Sequence, residues 1–318
     1  MDFSNVKDWT IPEGEVISVS SNGVRIWQNN TIIPFYIQND SNTTITVTFS
    51  VSLSYTVNPT LYTKSNLTST SNWTSIGKLF DSTALPTTTI SPGYRKYFQC
   101  TLDDTYTLRY TAIRVNGSYS VGGNIMSLYY GKNFVGKTTF PKLTTDYEFS
   151  GLFYGETNLL TAKQLYIPAI HPYSCQSMFN GCTSLTTAPK IIRTYTFERC
   201  YQNMFQGCTS LTEAPALPAT TLSEGCYVNM FRDCTALTTT PALPATTLTN
   251  YCYARMFSGC TSLNNVTTYA TDISATNCLN NWLDGVSATG DFYNLGGATY
   301  PTDSASGIPT GWTEHTSL

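Results

Sequence analysis

The sequence predicts a mainly β chain with short helices, in which an N-terminal antiparallel β-sandwich is followed by a leucine-rich-repeat solenoid of 26-residue units. Three observations carry that expectation. The stretch "CYQNMFQGCTSLTEAPALPATTLSEG" from Cys200 is followed in register by "CYVNMFRDCTALTTTPALPATTLTNY" from Cys226. The stretch "TITVTFSVSLSYTV" at 44–57 alternates apolar residues with Thr or Ser. Only 12% of residues are charged, about half the usual level, while hydroxyl and amide residues abound.

Residues 1–29 form a leader. In "WTIPEGEVISVSSNGVRIW", Val16, Ile17 and Val19 precede Ser21-Asn22-Gly23, and Val24, Ile26 and Trp27 follow, which is a hairpin pattern. Two strands alone are marginal in water. A hairpin bearing Trp9, Ile11, Val24, Ile26 and Trp27 therefore needs a surface, either the edge of the sandwich or another protein. The segment has neither a cationic stretch nor an apolar core of the kind a signal peptide carries. No apolar run of about 18 residues is present, so no membrane insertion is expected. The expected product is a soluble chain made in the cytoplasm.

Residues 30–128 read as the sandwich. In 44–57, Ile45, Val47, Phe49, Val51, Leu53, Tyr55 and Val57 point one way, giving one buried and one wet face. Further strands are expected in "TIIPFYIQN", "YRKYFQCTL" and "YTLRYTAIRVNGSYSV", the last with a hairpin turn at Asn116-Gly117. A junction over 129–147 carries no flexible linker, so rigid packing of the two parts is expected.

Residues 148–285 read as the solenoid. Leu152-Phe153, Met178-Phe179, Met204-Phe205, Met230-Phe231, Met256-Phe257 and Trp282-Leu283 recur every 26 residues. One copy cannot bury its own apolar face, whereas stacked copies bury a continuous one. Cys200, Met204 and Cys208, spaced i, i+4, i+8, predict one face of a short helix or helical turn. "TSLTEAP" then reads as an extended rung and "ALPATTL" as an extended return that its prolines keep from being a helix. Cys182, Cys208, Cys234 and Cys260 join the expected core. Cys175 stands one residue off, with Ser174 in the place of Cys200, so a distorted first full unit is expected. Residues 286–318 close the series as a cap.

The cysteine spacings do not suit zinc, whose paired ligands sit two to four residues apart. Cysteines eight apart on one helix would be ~12 Å distant, too far for a disulfide. Bridges between adjacent coils stay open, and a ladder of buried thiols is the favoured expectation. Catalytic chemistry has little to work with: there are two histidines, His171 and His315, and no nucleophile elbow, zinc-protease motif or phosphate loop. Asp103-Asp104 reads as a turn pair. No enzyme, metal or cofactor is expected, although carboxylates far apart in sequence leave a glycosidase open. A net charge of -3 gives no reason to expect nucleic acid.

Tyr201, Tyr227 and Tyr253 recur once per unit. They either pack between coils or present flat rings and hydroxyls to a sugar or protein. Gln202, Val228 and Ala254, and Gln206, Arg232 and Ser258, vary between units and are expected to face solvent. The ligand-surface candidates are accordingly Tyr201, Tyr227, Tyr253, Gln206 and Arg232.

The pattern "CYxxMFxxCTxLTxxPALPATTL" resembles the BspA-type leucine-rich repeats of gut Bacteroidetes surface proteins and of their crAss-like or related phages. "GNIMSLYYGKNF" with "FSGLF" is similar to the junction before such repeats, and "ATDISATNCLNNWLDGVSATGDFY" with "SGIPTGWT" to their closing segment. The leader is similar to N-terminal segments of phage virion and tail proteins. The resemblance implies a virion protein, a short fibre, spike or capsid decoration subunit. It would dock on other virion proteins through its N-terminus and present the solenoid to a host-surface glycan or protein. A symmetric homo-oligomer, a trimer, is expected with it. A bacterial cell-surface adhesin is the alternative, and a glycan-cleaving virion enzyme a third.

Overall fold

The computed structural model describes residues 19–21, 24–26, 34–51, 60–65, 72–78, 85–100, 110–130, 147–167, 170–302 and 306–318. Trp9, Ile11, Trp27, Leu53, Tyr55, Val57, Asp103 and Asp104, and all but Tyr147 of the junction beyond Tyr130, lie outside them. The described chain is mainly β with almost no helix. Its strands are β1 (Val19–Ser21), β2 (Val24–Ile26), β3 (Tyr36–Asn39), β4 (Ile45–Val51), β5 (Thr60–Lys64), β6 (Thr74–Lys78) and β7 (Thr87–Ile90). Next come β8 (Arg95–Cys100), β9 (Tyr110–Val115), β10 (Tyr119–Asn124) and the single helix α1 (Ser127–Tyr130). After these follow β11 (Leu159–Tyr166), β12 (Asn265–Thr268), β13 (Gly290–Asn294) and β14 (Trp312–His315).

Strands β1 and β2 pair antiparallel with each other, Val19 opposite Ile26, and form a two-stranded sheet of their own. Strand β4 keeps the alternation read from sequence: Ile45, Val47 and Phe49 are buried and Thr46 and Thr48 half-exposed. It is the middle of a three-stranded sheet ordered β7-β4-β9. A six-stranded sheet runs β11-β10-β3-β8-β5-β6. The two sheets meet through Phe49 of β4 and Phe98 of β8, whose rings lie 4.9 Å apart.

The expected hairpin at Asn116-Gly117 does not form. Strand β9 pairs with β4 and β10 with β3, so the turn carries the chain from one sheet to the other. Asn116 fixes this corner, its side-chain oxygen accepting from the Thr46 amide at 2.7 Å. A Cβ on Gly117 would fall 2.7 Å from Ile45 Cγ2, so the corner closes only over glycine.

The expected helical turns of the repeats are not helices either. Every fourth residue is left-handed: Arg199 (φ 48), Asn203 (φ 56) and Gly207 (φ 71) in one coil, Tyr173, Ser177 and Gly181 in the coil before. Each such residue interrupts an α-helical ladder. The amides between them alternate instead. Met204 N donates to Tyr201 O within its turn, while Phe205 N donates to Met230 O in the next coil, at 3.1 and 2.9 Å. A run of four-residue turns directs Cys200, Met204 and Cys208 to one side, as the spacing required, without a 3.6-residue helix.

The register is continuous across coils. Cys175 N donates to Cys200 O as Tyr201 N does to Cys226 O, so the expected distortion at Cys175 is absent: Cys175 occupies the tyrosine place and Ser174 the cysteine place. Inside, Phe153, Phe179, Phe205, Phe231 and Phe257 stack ring on ring at 5.3 to 5.6 Å.

The sheet and the coils are one hydrogen-bonded body. Strand β11 pairs parallel with β10 on one side, and Thr161 on it bridges Thr187 of the next coil on the other. Further parallel bridges join Tyr195 to Thr221 and run from Glu213 to Thr239 to Asn265, then through β12, β13 and β14. Glu156 pins the first coil to the sheets by accepting from Val115 N and Tyr119 Oη, both at 3.1 Å, and from Arg114 at 3.4 Å. At the far end Trp282 donates to Gly307 O, and Trp312 to Ser287 O, which closes the last coil.

Candidate binding surface of the repeat coils

The tyrosine ladder belongs to the interior. Tyr201, Tyr227 and Tyr253 are 3%, 1% and 2% exposed, and their rings stack at 5.8 and 6.1 Å. Burial pushes all three phenols well above their usual range. Their reading as ligand-surface residues is therefore corrected: rings this deeply buried, two of them wedged between other rings, have no face left for a sugar. Trp282 stacks on Tyr253 at 6.4 Å, and Tyr300 stacks on Trp282 at 6.1 Å beyond it.

Gln206 and Arg232 do stand on the solvent side, half-exposed. Gln206 accepts from Asn180 Nδ2 at 3.3 Å, and Arg232 Nε lies 3.5 Å from Asp233 Oδ2. Ala254, expected outside, is buried. Gln176 donates to Gln202, and Asn229 to Asn203, so amides tie the outward rows from coil to coil. Val24 and Ile26 lie on β2 of the separate two-stranded sheet.

The cysteines are ten buried thiols without a disulfide. Cys182, Cys208, Cys234 and Cys260 donate to the carbonyls of Phe153, Phe179, Phe205 and Phe231 at 2.9 to 3.1 Å. A thiol is small and apolar but still a weak donor, which is why cysteine suits this place better than alanine. Burial pushes the Cys182 and Cys260 thiols up to about 12 and keeps them protonated. Among the described residues no group of three or more His, Cys, Asp or Glu side chains could hold a metal ion. His171 lies 3.2 Å from Glu148 and His315 2.7 Å from Asp291, at the two ends of the coil series. No described helix is long and apolar enough to cross a membrane.

A further exposed cluster, which no repeated motif marks, lies on the second coil. Ile192 is 43% and Tyr195 41% exposed. Tyr195 meets Phe197 edge-on at 5.8 Å, and Phe197 meets His171 likewise at 6.0 Å. Arg193 lies over the Tyr195 ring at 5.8 Å and donates to its hydroxyl at 3.4 Å. Beside them Tyr173 donates to the half-exposed Glu198, which holds the Tyr173 phenol above its usual range, and stacks on Tyr147 at 4.6 Å. The signal was present in the sequence: "KIIRTYTFER" at 190–199 departs from the "ALPATTLSEG" that the next unit writes at 216–225.

Compared with known proteins, the chain matches no family model, no curated protein and no solved structure.

Proposed function

We propose that the chain is a structural subunit of a phage particle, a short fibre, spike or capsid decoration protein, and that its coils serve adhesion to the host surface. In this reading the two facing sheets are a β-sandwich over 30–128 and the coils a BspA-type leucine-rich-repeat solenoid over 148–285, capped by 286–318. The observation that carries it is the unbroken series of coil-to-coil backbone bonds, which with the parallel pairing of β10 with β11 and of β12, β13 and β14 supports a stiff, elongated outer surface. The hairpin of β1 and β2 pairs with neither larger sheet among the described residues, which supports residues 1–29 as the part that docks on another virion protein. Virion sites are symmetric, so a homo-oligomer, a trimer, goes with this role. The role requires binding and no catalysis.

Mass spectrometry of purified particles tests it, with the full-length chain compared against a chain lacking residues 1–29. The expected result is full-length protein on particles and loss of the truncated one. Absence of both from particles, with the protein on bacterial envelopes, would transfer the adhesive role to a cell-surface adhesin.

A further inference from the structure

The repeat supplies its own control for what the fold requires. The return segment reads "PALPATTL" at 215–222 and again at 241–248, but "PKIIRTYT" at 189–196. At the first core place the type is kept: Ile191, Leu217 and Leu243 are all buried. Two further buried places change, Ala219 and Ala245 to Arg193 and Leu222 and Leu248 to Thr196. The remaining departures lie on the outer side. Ile192 stands where the next coils have Pro218 and Pro244, Tyr195 where they have Thr221 and Thr247, and Phe197 where they have Ser223 and Thr249. The coil does not need Tyr195, since Thr221 and Thr247 hold the same ladder: Tyr195 bridges Thr221 as Thr247 bridges Asp272. Covering an exposed isoleucine and tyrosine removes apolar surface from water, which favours a ligand at this place.

We propose that this shoulder, built from Ile192, Arg193, Tyr195, Phe197 and Glu198, binds a pyranose unit of a glycan. The inference rests on the adhesion reading and names its ligand class and place. A pyranose has an apolar face of C–H groups and a rim of hydroxyls. Tyr195 supplies a flat ring, with Ile192 as a second apolar contact. The half-exposed carboxylate of Glu198, which accepts from Tyr173 through one oxygen, supplies an acceptor for the rim hydroxyls. The ring is held before a ligand arrives by Phe197 at its edge, a contact that does not need the hydroxyl, so little ordering is lost on binding. A protein partner fits less well. A stable protein interface covers about 800 Å² on each side, whereas the large apolar residues here occupy one coil and are interleaved with charges. The coils that follow offer threonine and proline in the same places.

The test places the full-length chain on an array of defined oligosaccharides, both neutral hexose chains and chains bearing uronic or sialic acids. The array compares the wild type with Tyr195→Thr combined with Ile192→Pro. Both replacements are residues that the next two coils carry at these places, and an unchanged melting curve verifies the fold. Should Ile192→Pro disturb the coil, Tyr195→Thr alone carries the same expectation. The expected result is binding to a pyranose glycan that falls about tenfold or more in the variant, as for loss of one stacked ring, and is kept by Tyr195→Phe. Equal binding by both chains overturns the shoulder and leaves adhesion standing. Absence of binding to every sugar on the array overturns the glycan inference, and retained binding to bacterial cells would then keep adhesion through a protein receptor.

Discussion

The sheet region and the coil region bury side chains of the same kinds by opposite means. In the sheets, neighbours come from far along the chain: Phe49 pairs with Ile113 and Tyr36 with Tyr97. In the coils nearly every backbone bond spans either three residues or about one repeat, as from Phe179 to Met204. Each coil therefore reuses one solution, and a polar group that fits once fits again. The sheets must solve each contact separately, as Glu156 does when it gathers Val115, Tyr119 and Arg114 around one carboxylate.

The largest expected contrast is alkaline unfolding. Burial raises the Cys182, Cys226 and Cys260 thiols from 9.0 to about 12. The folded coils hold these protons while the unfolded chain releases them, so the unfolded state gains as pH rises from 9 toward 12. Each such thiol subtracts up to ~1.4 kcal/mol of stability per pH unit in that window. Melting curves should fall steeply above pH 9 and vary little between pH 7 and 8.5 on account of these groups. A flat profile to pH 11 would mean that the thiols are not buried as a ladder.

Smaller in effect is Phe205→Ala, which opens a gap between Phe179 and Phe231 in the stacked column. A loss of about 3–5 kcal/mol is expected from denaturant melts, and a loss under about 1 kcal/mol would deny the column. Smallest and sharpest is one substitution made in each region. Tyr119→Phe removes a donor from the buried Glu156 and should cost about 1.5–3 kcal/mol. Tyr227 Oη is buried with no hydrogen-bond partner among the described residues. Tyr227→Phe should therefore be neutral or stabilising by up to about 1 kcal/mol. The same sign at both sites would erase the distinction between shared and individual solutions.

That distinction also decides what could be read in advance. The coils were legible because Met204, Phe205 and Cys208 recur with their partners one period away. Strand β4 was legible because Ile45, Val47 and Phe49 alternate with threonine. Strands β5, β6 and β7 carry Thr, Ser and Lys in short mixed runs, and their pairing depends on residues elsewhere. Asn116-Gly117 signals a turn but not the sheet that receives the next strand, which packing against Ile45 and Thr46 decides. The coil turns read as helix in the sequence because a four-residue spacing approximates the helical one. Asn203 and Gly207, residue types that tolerate a left-handed backbone, carried the contrary signal. The tyrosine ladder shows the limit for sites: recurrence in register marks what the fold needs, and the shoulder at Ile192 and Tyr195 is visible only as a departure from it.

The most direct test of the account is removal of one whole coil. Deleting residues 226–251 joins Gly225 to Cys252 and brings Tyr253 and Phe257 into the places of Tyr227 and Phe231. The account predicts a folded, cooperatively melting chain one coil shorter, whereas deleting 226–250 instead should shift the register and unfold the coils beyond the cut. If both deletions fold equally well, or neither folds, the coils are not interchangeable units held in one register.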